Sequence, residues 1–150
     1  MKKLIYRNEF KPKIKLNKND LDIEEITLLS VEEAEKLPNY ILAIDRWWWL
    51  RSPSYNQNRA VYVISDGDIF VSGWPVNSGS RSVRPALRIS NLKSYDLKFY
   101  DIIKFLNNLW YVISDDMLLS VKAVGHTAFN DDATKPNANK FEGSDIQKWL

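Results

Sequence analysis

Cysteine is absent from the 150 residues. That excludes disulfides, thiolate zinc sites and cysteine nucleophiles, and it fits a reducing compartment. Histidine occurs once, at His126 in KAVGHTAF, and a lone histidine there reads as structural. G-x-S-x-G, H-E-x-x-H and phosphate-loop patterns are all missing, so no common catalytic motif organises the chain. No apolar run reaches the length of a membrane span. MKKLIYRNEF begins basic, but Glu9 and Lys11 interrupt it, so it does not read as a signal peptide. Charge of one sign is also in short supply. Lys and Arg total 21 against 19 acids, a net charge of +2. The chain as a whole is therefore neither a strong polyanion binder nor an acidic nucleic-acid mimic. These absences predict a non-enzymatic protein without cofactor or metal, in the cytoplasm of its host cell or associated with a virion.

The length allows one domain with a real core, and a single domain over 1–150 is the expectation. Residues 1–20 are lysine-rich. Lys11, Lys13 and Lys15 alternate with Pro12, Ile14 and Leu16, the period of an edge strand or an extended basic arm. Ile26 to Leu29 read as a short buried strand. Ser30 and Glu33 form a capping box that opens a helix over 31–37, ended by Pro38. AVYVISDGDIFVSG is a hairpin turning at Asp66–Gly67. Trp74–Pro75 and the serine-rich 78–82 are loop. VRPALRIS is a strand with Pro85 at its start, a position typical of an edge or bulge. DIIKFLNNLWYVI is a hairpin with Asn107–Asn108 as its turn, and SDDMLLSV adds a tight turn at 114–116 and a third strand. Ser144 and Gln147 repeat the capping-box pattern before a last short helix. The sum is α+β: short antiparallel strands and hairpins with two short helices.

RWWWLRSPSYNQNR holds the densest chemistry. If it is extended, Trp47 and Trp49 share one face and Trp48 takes the other. Two of the three are expected to be structural, with one left as a stacking surface. Arg51 and Arg84 sit among apolar neighbours and each needs a carboxylate or carbonyls, with Asp45, Asp66 and Asp68 as candidates. In that position they either tie loops to the sheet or hold an anion.

Taken in order, LLSVEEAEKLP, RWWWLRSPS, AVYVISDGDIFVSGWPVN and SVRPAL resemble an uncharacterised family of bacterial and phage domains with a WWLRSP…VRPAL signature. The match is densest over 25–91. The resemblance implies a C-type-lectin-like fold, shared with phage receptor-binding tips and formylglycine-generating enzymes. It implies a signature role for Trp47, Trp49, Arg51, Pro53, Arg84 and Pro85. IIKFLNNLWYVISDDMLLS and FEGSDIQKWL, within 100–150, are similar to the segment that precedes LLSVEEA in bacterial members. The chain therefore looks circularly permuted, as in small proteins of phages of low-GC bacteria, and its first and last strands are expected to lie near each other.

The loops 54–59 and 75–81 are rich in Tyr, Ser, Asn, Gly and Arg, the composition of adaptable recognition surfaces. Trp48, Tyr55, Asn56, Asn58, Arg59, Trp74, Asn77 and Arg81 are the candidate ligand contacts. The calcium-binding sequences of sugar-binding lectins are absent, and Asn130, Asp131 and Asp132 lack calcium-loop spacing. The formylglycine-generating activity requires cysteines that this chain does not have. A protein partner is expected first and a surface glycan second. Nucleic acid comes third, through the N-terminal lysines with Arg46, Arg51, Arg59, Arg81, Arg84 and Arg88. A cytoplasmic phage accessory protein that inhibits a host defence protein is the alternative role.

Overall fold

The computed structural model describes residues 10–150. The first nine residues of the lysine-rich segment lie outside that range. The chain is α+β, dominated by sheet, and divides into two compact units. One comprises residues up to Ile26 with Ala86–Val121, and the other Thr27–Pro85 with Lys122–Leu150.

The first unit is a six-stranded sheet. Its strands are β1 (Ile14–Lys15), β2 (Ile23–Thr27), β7 (Ala86–Ile89), β8 (Ile102–Phe105), β9 (Asn108–Val112) and β10 (Met117–Ser120). Their order is β1-β8-β9-β10-β7-β2. Period-two alternation sends Leu87, Ile89, Ile103, Phe105, Trp110, Val112 and Leu118 into one core with Leu21 and Leu92. The Trp110 indole donates to the Phe105 carbonyl at 2.8 Å, so its polar edge is not stranded in the core. The predicted lysine strand exists as β1, at the sheet edge and parallel to β8. The Lys13 ammonium, just before it, meets Asp101 at 3.1 Å.

Three expectations shift here. The strand predicted at Ile26 to Leu29 lies earlier, at Ile23–Thr27, and its first four residues are exposed. Leu28 and Leu29 are buried, but beyond the strand's end. The β8–β9 turn is Leu106–Asn107, one residue before the predicted pair, because Phe105 and Asn108 face each other across the ladder. Both turn residues have positive φ, 55° and 57°, as a two-residue hairpin turn that follows strand twist requires. Finally, VRPALRIS is not one strand. Pro85 falls between β6 (Ser82–Val83), in the second sheet, and β7, inside the first.

The second unit is a five-stranded sheet. It contains β3 (Trp48–Pro53), β4 (Arg59–Val63), β5 (Ile69–Pro75), β6 and β11 (Gly125–His126), in the order β11-β6-β3-β4-β5. The Asp66–Gly67 hairpin joins β4 to β5, with Gly67 at φ 94°. The capping box is complete: Glu33 N–H donates to Ser30 Oγ and Ser30 N–H to Glu33 Oε1. Its helix α1 (Val31–Glu35) is shorter than predicted. Pro38 does not simply end a helix; it caps a second one-turn helix, α2 (Asn39–Leu42), that the sequence pattern did not reveal. The last helix, α3 (Asp145–Trp149), is capped by Ser144. Gln147 reaches back to the Gly143 amide rather than to Ser144 itself.

Candidate functional site

β3 and β5 are both irregular, and the irregularities build the site. Trp49 faces Tyr62 and Pro53 faces Ala60, so β3 carries extra residues against β4. Tyr62 faces Phe70 and Ala60 faces Trp74, so β5 does the same. Such bulges bend a strand and re-aim its side chains. The bulge in β5 requires Gly73. Its φ is 80°, and a Cβ there would lie 2.7 Å from Ser54 Cβ and 2.9 Å from the Ala60 carbonyl.

The tryptophan run divides as period two predicts. Trp49 is fully buried in a cluster with Ala60, Tyr62, Val76, Val83, Phe129, Ala138 and Ile146, and Trp47 packs against the same cluster. The Trp49 indole donates to the Thr127 carbonyl. Trp48, at 0% exposure, donates to the Leu42 carbonyl. Trp48 is therefore no ligand contact: its polar edge is satisfied internally and it presents no surface. The half-exposed member is Trp47, which sequence reasoning assigns to structure.

Trp47 belongs to an aromatic box. Its ring lies 5.2 Å from Tyr62 and 5.8 Å, edge-on, from Trp74. Tyr62 continues to Phe70 at 5.5 Å. Arg81 fills the box. Its guanidinium carbon is 4.3 Å from the Trp47 ring centre, 4.5 Å from Trp74 and 5.6 Å from Tyr62. The backbone around it is pinned, since Thr127 N–H donates to the Arg81 carbonyl and Ser82 N–H to the Trp47 carbonyl. Arg81 is only 9% exposed. Among the described residues no carboxylate pairs with it. Nη1 donates to Ser80 Oγ at 3.0 Å, and Nε is buried with no hydrogen bond. Burial pushes the Arg81 pKa down, and the Tyr62 phenol offsets this in part. Burial raises the Tyr62 pKa against the opposing fields of Arg81 and Arg59. A stack on aromatic faces recovers about 2 kcal/mol for a desolvated cation. Removing a charge from water without a counter-charge costs more than that.

The predicted loops lie in the same unit as this box; the second ends on Arg81 itself, and the first joins the Pro53 end of β3 to β4. Tyr55, at 86% exposure, is at the tip of the first loop. Asn56 and Asn58 are exposed, and their carbonyls accept from Asn139 Nδ2 and Val76 N–H. Gln57 accepts from the Asn137 amide. Residues 137–139 thus hold the loop in shape, a role for Asn139 that the polar run HTAFNDDATKPNANK gave no signal for. Arg59 is half-buried and donates to the Gly73 carbonyl at 3.3 Å. Asn77 is exposed, and Trp74 is half-buried in the box. His126 is exposed, with Nδ1 3.1 Å from the Gly79 carbonyl.

Apart from Trp47, the signature residues are not part of the box. Arg51 bonds Glu33 at 2.6 Å and the Leu28 carbonyl at 2.7 Å. Its carboxylate is the capping-box glutamate, not Asp45, Asp66 or Asp68, because β3 runs beside α1. Arg84 is fully buried, 4.8 Å over the Trp48 ring. Pro53 is exposed and Pro85 buried. Arg88 meets Glu25 and Asp116. Of the arginines considered for nucleic acid, then, Arg51 and Arg88 are ion-paired and Arg81 and Arg84 are buried. In the first unit, Lys15 and Lys104 face each other and line an open concavity of about 390 Å³ with Pro12, Asn107, Asn108 and Leu109. Among the described residues no three His, Asp or Glu side chains converge as a metal set would, and no helix is long and apolar enough to cross a membrane.

No curated protein and no solved structure matches the chain. A family model does match, over residues 10–91, which include β1 to β7 and both bulged strands of the aromatic box. The chain belongs to the family described as "Domain of unknown function (DUF6273)".

Proposed function

We propose that this chain is a non-enzymatic binding module that grips a protein partner through loops 54–59 and 75–81, with the Trp47–Trp74–Arg81 box behind them. One observation carries the reading. A cation is nearly buried between indole rings, with no acidic partner among the described residues. Buried charges are ordinarily paired, so a desolvated guanidinium held ready beside adaptable loops suits a surface completed by something else. Tyrosine at the rim supplies rigid contact area at low entropic cost. The sheet-rich, loop-bearing second unit supports a C-type-lectin-like organisation. The WWLRSP and VRPAL segments, with the last third permuted behind them, support an origin in phage or prophage. In that setting the module acts on a host protein in the cytoplasm or on a receptor at a virion surface.

The test is affinity capture from a bacterial host lysate, with Tyr55→Ala and Asn77→Ala as matched baits. Both positions are exposed, so both variants are expected to fold as the parent does. A partner bound by the parent and lost by both variants supports the reading. A partner bound equally by all three sinks it. Retention on cell-wall polysaccharide, with no protein captured, replaces the protein partner by a glycan.

A further inference from the structure

We infer that Arg81 is the anchor of this recognition surface and that it takes the carboxylate of an aspartate or glutamate side chain on the partner, presented beside an apolar residue. The inference rests on the reading of the chain as a binding module and names what its central contact recognises.

Charge comes first. Arg81 is 9% exposed and Nε has no hydrogen bond. Among the described residues its one side-chain hydrogen bond is Nη1 to the Ser80 hydroxyl. Ser80 in turn shares a hydrogen bond with Ser78 at 3.1 Å, so neutral hydroxyls stand where a counter-ion would. Shape comes second. The guanidinium carbon lies 4.3 Å from the Trp47 ring centre and 4.5 Å from that of Trp74, and the two rings meet at 83°, so aromatic surface and not an acid lies against the cation. A planar fork of N–H donors matches a carboxylate in geometry and in single charge. A phosphate dianion calls for more cations than this box holds. Arg59, whose charge also reaches Tyr62, is turned onto the Gly73 carbonyl. Surroundings come third. Phe70 on β5 is exposed and its ring lies 5.5 Å from that of Tyr62, and β5 is the last strand of its sheet. Phe70 offers apolar contact to a neighbour of the acidic residue. A guanidinium already immobilised by stacking loses little further freedom on binding.

The test observes Arg81 directly. The guanidinium Nε resonance of the ¹⁵N-labelled chain is assigned with Arg81→Lys. It is then followed during titration with three probes at constant ionic strength. These are the blocked tripeptides acetyl-Leu-Glu-Leu-amide and acetyl-Leu-Gln-Leu-amide, and methyl phosphate. The expected result is a saturable shift of Arg81 with the glutamate peptide. Affinity should be on the order of tenfold weaker for the glutamine peptide and for methyl phosphate, and Arg51 and Arg88 should not respond. Equal response to both peptides, or tighter binding of methyl phosphate, overturns the inference. So does silence at Arg81 while the amides of Tyr55 and Asn77 move, an outcome that leaves the binding-module reading standing. Silence at all three positions, with no partner captured from lysate, overturns both. The wild-type guanidinium is the reporter throughout, so the titration does not depend on how well Arg81→Lys folds.

Discussion

Glu33 does three things at once. It completes the capping box of α1, accepts from Arg51 at 2.6 Å and so ties the helix to β3. Burial raises its pKa, but the Arg51 hydrogen bond, the Ser30 amide and the Arg51 charge outweigh burial and leave it below its ordinary 4.5. A carboxylate with a lowered native pKa adds stability that is complete above the unfolded value. That stability is lost as pH falls through the folded one. Glu33→Gln should therefore cost about 1 kcal/mol in urea unfolding at pH 7, and the deficit should shrink when the unfolding is repeated in acid, below the ordinary 4.5 and through the lowered native value. A deficit of equal size at both pH values would mean that charge is not what Glu33 contributes. The Ser30–Glu33 spacing made the box legible in the sequence, because both partners lie within one helical turn. The Arg51 contact was not legible. It joins residues 18 apart, and only the approach of β3 to α1 decides which acid Arg51 meets.

Turns and bulges set the geometry of the elements, and each isolates one backbone requirement. Leu106 holds φ 55° in the β8–β9 turn with its side chain 45% exposed. A β-carbon in the left-handed region costs about 1–2 kcal/mol, and asparagine tolerates that region better than leucine does. Leu106→Asn should raise stability by about 0.5–1 kcal/mol, read as a higher Tm with an unchanged spectrum. A lower Tm would show that the leucine side chain contributes more than its exposure suggests. Gly73 is the opposite case. Gly73→Ala meets both a positive φ and the Ser54 and Ala60 atoms. It should cost about 1–3 kcal/mol and shift the emission of Trp74, the next residue in the bulge. The sequence announced both hairpins through turn residues between apolar strands. It misplaced one turn by a residue because Asn107 and Asn108 are equally good turn formers, and cross-strand register, a non-local property, selects between them. The β5 bulge had only Gly73 as a signal. Trp47 reads as structural because period two groups it with Trp49 but says nothing of where along that face the covering residues 129–150 stop.

At the scale of the whole molecule, strand order decides what can stand alone. The family match ends at residue 91, yet three of the six strands of the first sheet, β8, β9 and β10, come from residues 102–120. They lie between β1 and β7, so a chain cut after 91 leaves β1 without a neighbour and β7–β2 as an isolated pair. It also removes Ile103, Phe105, Trp110, Val112 and Leu118 from one core, and Phe129, Ala138 and Ile146 from the other. A two-stranded pair is marginal in water at best, and losing large core side chains costs several kcal/mol each, which exceeds the stability of a small domain. Residues 10–91 expressed alone should give collapsed amide dispersion and no cooperative urea transition, whereas the full chain gives both dispersion and a transition. A well-dispersed, cooperatively melting 10–91 fragment would overturn this and make the matched region a folding unit in its own right. The alternation in IIKFLNNLWYVI announced that the last third is strand. That these strands lie inside the sheet of the first third, and not beside it, follows from pairings such as Leu118 with Leu87 and Ile14 with Ile103, which no local pattern encodes.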